Sequence, residues 1–123
     1  MDYDALSFDD PLRLYVGELR KIHPLSRDEE IACIQHVRAR DEIAESAGKR
    51  LAEANLLLVV SIAERYQNDR IHILHLIQKG NEGLLRAVQT LSDSCQDSFS
   101  AHATDHIERA IAEAISISGP TAV

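Results

Sequence analysis

The sequence predicts an all-α protein, folded as a single compact bundle of about five helices. Apolar residues recur three and four positions apart along most of the chain, and they show no strand-like alternation with polar ones. Of the 123 residues, 45% are hydrophobic and 27% are charged, which is typical of one globular domain. A chain of this length buries roughly two thirds of the surface of its unfolded form, so it can fold without disulfides or metal ions.

The composition also excludes several classes of protein. Cys33 and Cys95 are isolated in the sequence, which predicts two reduced thiols in a cytoplasmic protein. The N-terminus is acidic and no long apolar run follows, so we expect neither a signal peptide nor a membrane span. The sequence contains no glycine-rich phosphate loop and no nucleophile motif, which argues against an enzyme and gives no reason to expect a cofactor.

Capping signals predict where the first two helices begin. Asp10 precedes a proline and an apolar stripe, as the cap of a first helix would. Ser26 and Glu29 have the spacing of a capping box and should start a second helix, which we expect to run to about residue 46. Gly48 is the predicted break after it.

Three further helices follow from the same periodicity. They are expected at residues 49–66, 72–90 and 99–116. The first of them should be the most buried, because residues 56–60 are apolar on all sides. Polar residues at 67–70 and 92–97 predict the connections. The helical domain should span residues 10–117, between an N-terminal extension at 1–9 and a tail at 118–123.

Two glycines lie inside the fourth predicted helix. Each glycine costs a helix interior about 1 kcal/mol relative to alanine. Gly80 and Gly83 therefore indicate that another backbone comes close there, or that a partner lies against that face. Residues 75–88 read His-Leu-Ile-Gln-Lys-Gly-Asn-Glu-Gly-Leu-Leu-Arg-Ala-Val. They resemble the polymerase-docking helix of primary bacterial RNA polymerase sigma factors, whose usual form is Asp-Leu-Ile-Gln-Glu-Gly-Asn-x-Gly-Leu-x-x-Ala-Val.

Three other segments resemble the same family in the same order. Residues 10–15 are similar to the start of its first conserved helix, with residues 24–31 at the expected distance after it. Residues 52–66 are similar to the helix before the docking helix, and residues 98–104 to the promoter-melting segment. The resemblance implies a helical protein that associates with RNA polymerase core and takes part in promoter recognition or transcription initiation.

The resemblance implies that polymerase binding is carried by the positions of the docking helix that contact the β′ coiled coil of the core enzyme. These positions are His75, Gln78, Lys79, Asn81 and Leu84. His75 replaces an Asp of the family and Lys79 replaces a Glu. A like-charge contact in a desolvated interface costs several kcal/mol, so docking should be weakened or retuned to a partner of different charge.

DNA contacts by analogy would be made by Phe99, His102, His106 and Arg109. The family pattern Phe-Ser-Thr-Tyr-Ala-Thr-Trp-Trp-Ile-Arg becomes Phe-Ser-Ala-His-Ala-Thr-Asp-His-Ile-Glu at residues 99–108. Most of the aromatic rings on which unstacked bases would stack are therefore missing. Residues 92–115 hold five acidic residues against one basic residue, a balance that repels phosphate. We therefore expect promoter DNA binding to be weak and DNA melting to be impaired.

Three alternatives stay open at this point. The glycines would also fit a plain helix–helix contact. His102 and His106, one helical turn apart, could share a metal ion, although no third protein ligand is evident and ordinary helix histidines explain the pattern more simply. The chain could also be a sigma-derived interaction module that binds polymerase or itself without engaging DNA.

Overall fold

The computed structural model describes residues 3–8, 10–67, 71–91 and 98–118, and every regular element in these ranges is helical. A short 3-10 helix and six α-helices follow one another: Tyr3–Ala5, then Pro11–Leu19 (α1), Arg27–Ala39 (α2), Ala44–Glu53 (α3), Leu56–Tyr66 (α4), Ile73–Gln89 (α5) and Phe99–Ser118 (α6). The predicted all-α fold class is confirmed, with one helix more than expected. The predicted loop 92–97, most of the connection 67–70 and nearly all of the predicted tail lie outside the described residues.

Both predicted helix starts are confirmed by their caps. The Asp10 carboxylate accepts a hydrogen bond from the Leu12 N–H at 2.8 Å. The Ser26 hydroxyl accepts from the Glu29 N–H at 3.1 Å, and the Glu29 carboxylate accepts from the Ser26 N–H at 2.9 Å. The hydrogen bonds with Ser26 lower the pKa of Glu29, because they favour the ionised carboxylate. The two N–H groups that these side chains satisfy would otherwise lack a partner within the helix.

The expected extent of the second helix was wrong. α2 ends at Ala39 because Arg40 adopts a left-handed backbone conformation, with φ at 52°, and α3 starts at Ala44. A hydrogen bond of 2.6 Å between His36 Nδ1 and the Asp41 carboxylate closes this turn. Gly48 is not a break but a buried position in the middle of α3, where an added Cβ would lie 2.9 Å from Cγ1 of Val88 on α5.

The third predicted helix, at residues 49–66, is divided into the second half of α3 and the whole of α4. Asn55 lies at the break, and its side-chain amide donates to the Leu51 carbonyl at the end of α3 at 2.8 Å. This helix was expected to be the most buried because residues 56–60 are apolar on all sides, yet Leu57 is 42% exposed. The opposite side of α4 does enter the core, through Val59, Val60, Ile62 and Ala63.

The described part of the predicted N-terminal extension packs on α1. Tyr3 belongs to the hydrophobic core and is only 9% exposed. The Arg13 guanidinium donates to the Leu6 carbonyl at 2.8 Å and lies 4.3 Å from the centre of the Phe8 ring. This arrangement ties the N-terminal segment to the first turn of α1.

The centre of the molecule is the contact between α5 and α6, against which α4 packs. Its most deeply buried side chains are large and apolar, and they include Leu51, Ile62, Leu76, Leu84, Phe99, Ile107 and Ile111. The buried face of α6 follows the helical spacing of its apolar residues, which are Ala103, Ile107, Ala110, Ile111 and Ala114. The two helices that carry the candidate functional residues are therefore also the helices that hold the fold together.

Candidate functional site

The helix α5 has one face in the core and the other in solvent. It begins at its cap His72, whose Nδ1 accepts a hydrogen bond from the Leu74 N–H at 3.1 Å. Its buried residues are Ile73, Leu76, Ile77, Gly80, Gly83, Leu84 and Ala87. Its exposed residues recur at intervals of three and four, and those on the side away from the core form a continuous line that we call the α5 ridge: His75, Gln78, Glu82, Leu85 and Gln89.

The two glycines of α5 permit close packing against neighbouring helices. At Gly83 an added Cβ would lie 2.5 Å from the His106 carbonyl oxygen on α6, and at Gly80 it would lie 2.6 Å from Cγ1 of Val59 on α4. Real Cβ atoms are not found at such distances. Of the two explanations offered by the sequence, close approach of another helix therefore accounts for both glycines.

The predicted polymerase-binding residues are not equally accessible. His75 and Gln78 are exposed on the ridge, and Lys79 is half-buried beside it. Leu84 is 1% exposed and belongs to the core, so its side chain is not available to a partner on this surface. Its neighbour Leu85 is 53% exposed and occupies the ridge instead. The helical spacing from Gln78 through residue 82 to 85 could have indicated Leu85 from the sequence.

Asn81 is half-buried beneath the ridge and contacts α1. Its side-chain amide donates to the Tyr15 hydroxyl at 3.3 Å. The side-chain carbonyl oxygen of Asn81, Oδ1, is buried, and no donor among the described residues reaches it. Asn81 therefore links α5 to α1 and keeps one unused acceptor.

Lys79 is accompanied by a negative charge on the same helix. Its ammonium group lies 3.6 Å from the carboxylate of Glu82, one turn later. The two side chains are 38% and 47% exposed, so the pair contributes little to stability. Its effect is on the surface potential, because the cation that replaces the family's acidic residue is partly neutralised.

An apolar groove of about 390 Å³ runs beside the α5 ridge, between α3 and α5. Ala52, Leu56, Leu85 and Val88 contribute to its apolar lining. Charged side chains from α3 also line it, among them Glu45, Lys49 and Glu53. The ridge and the groove together form a surface with an apolar strip and polar edges, as protein interfaces commonly have.

The start of α6 is held by a residue distant in sequence. The Glu30 carboxylate on α2 accepts a hydrogen bond from the Phe99 N–H at 2.8 Å, which places a negative charge at the N-terminus of α6. The Phe99 ring is 0% exposed. Phe99 therefore packs in the core and is not accessible for base stacking, which corrects its assignment as a DNA contact.

His102 and His106 are half-buried, and both rings are directed towards the end of α5. His102 Nε2 lies 3.0 Å from the Ala87 carbonyl, and His106 Nε2 lies 3.3 Å from the Thr90 hydroxyl. The two rings are 4.8 Å apart, edge to face. Across the described residues, no group of three or more His, Cys, Asp or Glu side chains is placed to bind a metal ion.

The charged side chains of α6 are largely paired. Arg109 lies 3.0 Å from the Asp105 carboxylate, one turn earlier on α6. Glu108, at the position of an Arg in the family, lies 3.3 Å from the Arg65 guanidinium on α4. Arg109, the predicted DNA-binding cation, is thus partly neutralised, and Arg65 offsets one of the acidic residues.

None of the helices in the described part of the chain is both long enough and apolar enough to cross a membrane.

Comparison with known proteins identifies the family. The family model for sigma-70 region 2 matches residues 51–116, which is more than half of the chain and includes α4, α5 and most of α6. The chain is 45% identical over 112 residues to the RNA polymerase sigma factor SigA of Clostridium acetobutylicum, and 45% identical over 107 residues to SigA of Lactococcus lactis subsp. cremoris. It is 44% identical over 111 residues to SigA of Listeria monocytogenes.

These alignments cover 91%, 87% and 90% of this chain but only 29% of each relative. The chain therefore corresponds to less than a third of the length of the sigma factors that it matches. The matched residues contain the α5 ridge and the histidines and charged side chains of α6 described above. The chain belongs to the sigma-70 family and carries its region 2.

Proposed function

We propose that this chain is a transcription protein that takes part in promoter recognition or transcription initiation, with impaired DNA melting, and that it docks on the β′ coiled coil of RNA polymerase core through the α5 ridge and the adjoining groove. The observation that carries the proposal is the accessibility of this surface. Gln78 and Leu85 are exposed on one side of α5, directly beside an apolar groove, in a segment that belongs to sigma-70 region 2.

The charges on and beside the α5 ridge favour a docking mode that depends on shape and apolar contact more than on ion pairs. His75 and Lys79 replace two acidic residues of the family, and Lys79 has Glu82 as a counter-ion. A partly neutralised lysine repels a basic partner less than an isolated one would. Leu85 and the groove remain as the main apolar contribution, with Gln78 as a hydrogen-bonding group beside them.

The proposal is tested by titrating the fluorescently labelled chain with RNA polymerase core. Leu85→Asp should weaken binding at least about tenfold, because burial of a leucine is worth roughly 1.5–3 kcal/mol and each 1.4 kcal/mol changes affinity tenfold. Leu14→Asp is the matched control, since Leu14 is a similarly exposed leucine, 56% exposed, on a different helix, α1. Equal binding of the two variants would contradict docking through the ridge.

A reversal of charge tests the same surface in the other direction. His75→Asp combined with Lys79→Glu restores the acidic pattern of the family. The double variant should bind core polymerase more tightly than the parent, because a favourable charge contact returns. Unchanged affinity would mean that this face is not the docking surface.

We also propose a second candidate function, a sigma-derived module that binds polymerase or itself without engaging promoter DNA. Three observations favour it. The Phe99 ring is buried, and Arg109 is paired with Asp105. His102 and His106 are turned towards α5, which leaves few groups on α6 for base stacking.

Single-stranded promoter DNA distinguishes the two candidates. The complex of the chain with core polymerase is mixed with fluorescent nontemplate-strand DNA, and its anisotropy is compared with that of core alone. A gain in DNA affinity would support participation in promoter opening. Polymerase binding without that gain would support the second candidate.

A further inference from the structure

Two histidines of α6 fasten that helix to the C-terminal end of α5. His102 Nε2 lies 3.0 Å from the Ala87 carbonyl, and His106 Nε2 lies 3.3 Å from the Thr90 hydroxyl. The Thr90 hydroxyl itself donates to the Arg86 carbonyl at 2.7 Å. Its lone pairs are thus left to accept a hydrogen bond from His106. Both rings consequently act as donors to groups at the last turn of α5.

We propose that His102 and His106 form a proton-operated latch between α5 and α6, which is closed when at most one of the two imidazoles is protonated and released when both are. The histidine latch comprises these two rings, the Ala87 carbonyl and the Thr90 hydroxyl. This inference goes beyond the proposed function and does not depend on it.

The closed state follows from the hydrogen bonds. A carbonyl oxygen only accepts, so the nitrogen of His102 that faces Ala87 carries a hydrogen. A first proton on His102 is compatible with this bond, because the C-terminal end of a helix attracts a cation. Neither the neutral pair nor the singly protonated pair therefore opposes the contact between the helices.

A second proton on the pair of histidines does oppose the contact between α5 and α6. The two ring centroids are 4.8 Å apart, so two imidazolium ions would repel each other. The pKa of His106 is lowered first by burial and then by His102, while Asp105 raises it and Arg109 lowers it. From α5, Arg86 lowers it further. On α2, Glu30 reaches the first turn of α6, where it accepts the hydrogen bond from the Phe99 N–H.

In this proposal, the backbone of His106 transmits the repulsion between the two rings to the contact between α5 and α6. The carbonyl oxygen of His106 is the atom nearest to a Cβ added at Gly83, at 2.5 Å, so α5 and α6 approach each other closely at His106. A displacement of the His106 ring towards solvent would loosen this approach. We therefore expect the first two turns of α6 to open before the rest of the helix.

The direction of the pH effect follows from the lowered pKa. As the pH falls, His106 is protonated first in the unfolded chain, near its ordinary pKa of 6.5. In the folded chain it is protonated only at lower pH. The stability contributed by the neutral His106 is therefore fully present above pH 6.5. It declines below pH 6.5 and levels off once the pH has passed the folded-state pKa.

The experiment is an NMR titration of the histidine rings combined with amide hydrogen exchange on the whole chain, in the presence of a metal chelator. The His106 ring should titrate below 6.5, because burial and the neighbouring His102 lower its pKa. After correction for the intrinsic rate, amides at residues 102–106 should lose protection several-fold between pH 7.5 and pH 5.5.

Matched variants separate the latch from general acid sensitivity. His106→Gln keeps a hydrogen-bonding group but cannot be protonated, so it should abolish the loss of protection between these pH values. His23→Gln, at an exposed histidine before α2, should leave the loss unchanged. The latch is ruled out if the His106 ring of the parent chain titrates at or above 6.5, or if His106→Gln shows the same loss of protection as the parent. The ring titrations need only the parent chain, so they decide the matter even if the variant does not fold.

Discussion

Gly83 of α5 lies directly against the carbonyl oxygen of His106 on α6, so closely that a Cβ atom at position 83 would be 2.5 Å from that oxygen. The same Cβ would be 2.9 Å from that of Ala110. The contact involves backbone on both sides, so a rotamer change cannot relieve it. The close approach of these two helices thus explains a glycine that helix propensity alone disfavours.

Gly83→Ala should destabilise the protein by roughly 1–3 kcal/mol, the usual cost of forcing extra atoms into a packed interior. Gly17→Ala is the control, because no atom lies within 4 Å of a Cβ added there in α1. It should stabilise by about 0.5–1 kcal/mol through helix propensity. Urea unfolding of both variants measures the difference, and equal effects would contradict the packing explanation.

Glu30→Ala should destabilise the protein by about 0.5–2 kcal/mol, the range seen when a capping side chain is removed from a helix N-terminus. The reason is that the Glu30 carboxylate accepts from the Phe99 N–H at 2.8 Å, across 69 residues of sequence. Glu42→Ala, at an exposed carboxylate between α2 and α3, should stay within about 0.5 kcal/mol of the parent. Thermal unfolding followed by circular dichroism compares the two, and similar losses would show that Glu30 does not cap α6.

Tyr15→Phe should reduce stability by about 0.5–1.5 kcal/mol, the net value of one hydrogen bond, because it removes the acceptor for the Asn81 amide. Asn81→Ala tests the same bond from the other helix. If the bond joins α1 to α5 as described, the double variant should be less destabilised than the sum of the single variants. Strict additivity in chemical unfolding would contradict the contact.

The turn between α2 and α3 should be sensitive to acid through Asp41. Its hydrogen bond with His36 lowers the pKa of Asp41 below the ordinary value of 3.8. The unfolded chain therefore takes up the proton first as the pH falls. The stability contributed by the ionised carboxylate is fully present above about pH 3.8 and is lost as the pH falls through the folded-state pKa.

The NMR titration midpoint of the Asp41 carboxyl carbon should rise towards 3.8 in His36→Ala. His23→Ala serves as the control and should leave the midpoint unchanged. A midpoint that does not respond to His36→Ala would contradict the assignment of the shift to this bond.

Glu108→Arg restores the cation that the family has at this position of α6. It breaks the exposed pair with Arg65, whose side chain is 62% exposed, so stability should change by less than about 1 kcal/mol. Affinity of the polymerase-bound chain for single-stranded promoter DNA should rise and become more dependent on salt, because an added cation releases phosphate counterions. Glu18→Arg changes the net charge equally on α1 and should leave DNA affinity unchanged. Equal gains for the two variants would mean that only total charge matters.

Much of the helical architecture could be predicted from local patterns. The caps at Asp10 and Ser26, the start of α5 and the buried face of α6 all follow from signals within a few residues of one another. The breaks around Arg40 and Asn55 could not be predicted in the same way. Arg40 carries no sequence signal for a left-handed conformation, and Asn55 ends α3 by a hydrogen bond that a helical pattern does not reveal.

The same distinction between local signals and tertiary packing applies to the candidate site. The exposure of Gln78 and of Leu85 follows from helical spacing, whereas the burial of Leu84 depends on how the neighbouring helices pack against α5. The pairing of Glu108 with Arg65 joins residues 43 positions apart, which no local pattern indicates.

The amino-acid sequence by itself determined the all-helical class, the family resemblance and the loss of aromatic residues from the segment similar to the promoter-melting region. Only the tertiary structure decided that Gly80 and Gly83 serve helix packing, that Phe99 is buried, and that the histidines of α6 face α5. The physical reason is that helix periodicity and capping act over one or two turns. Burial and pairing depend instead on distant segments that meet only when the chain is folded.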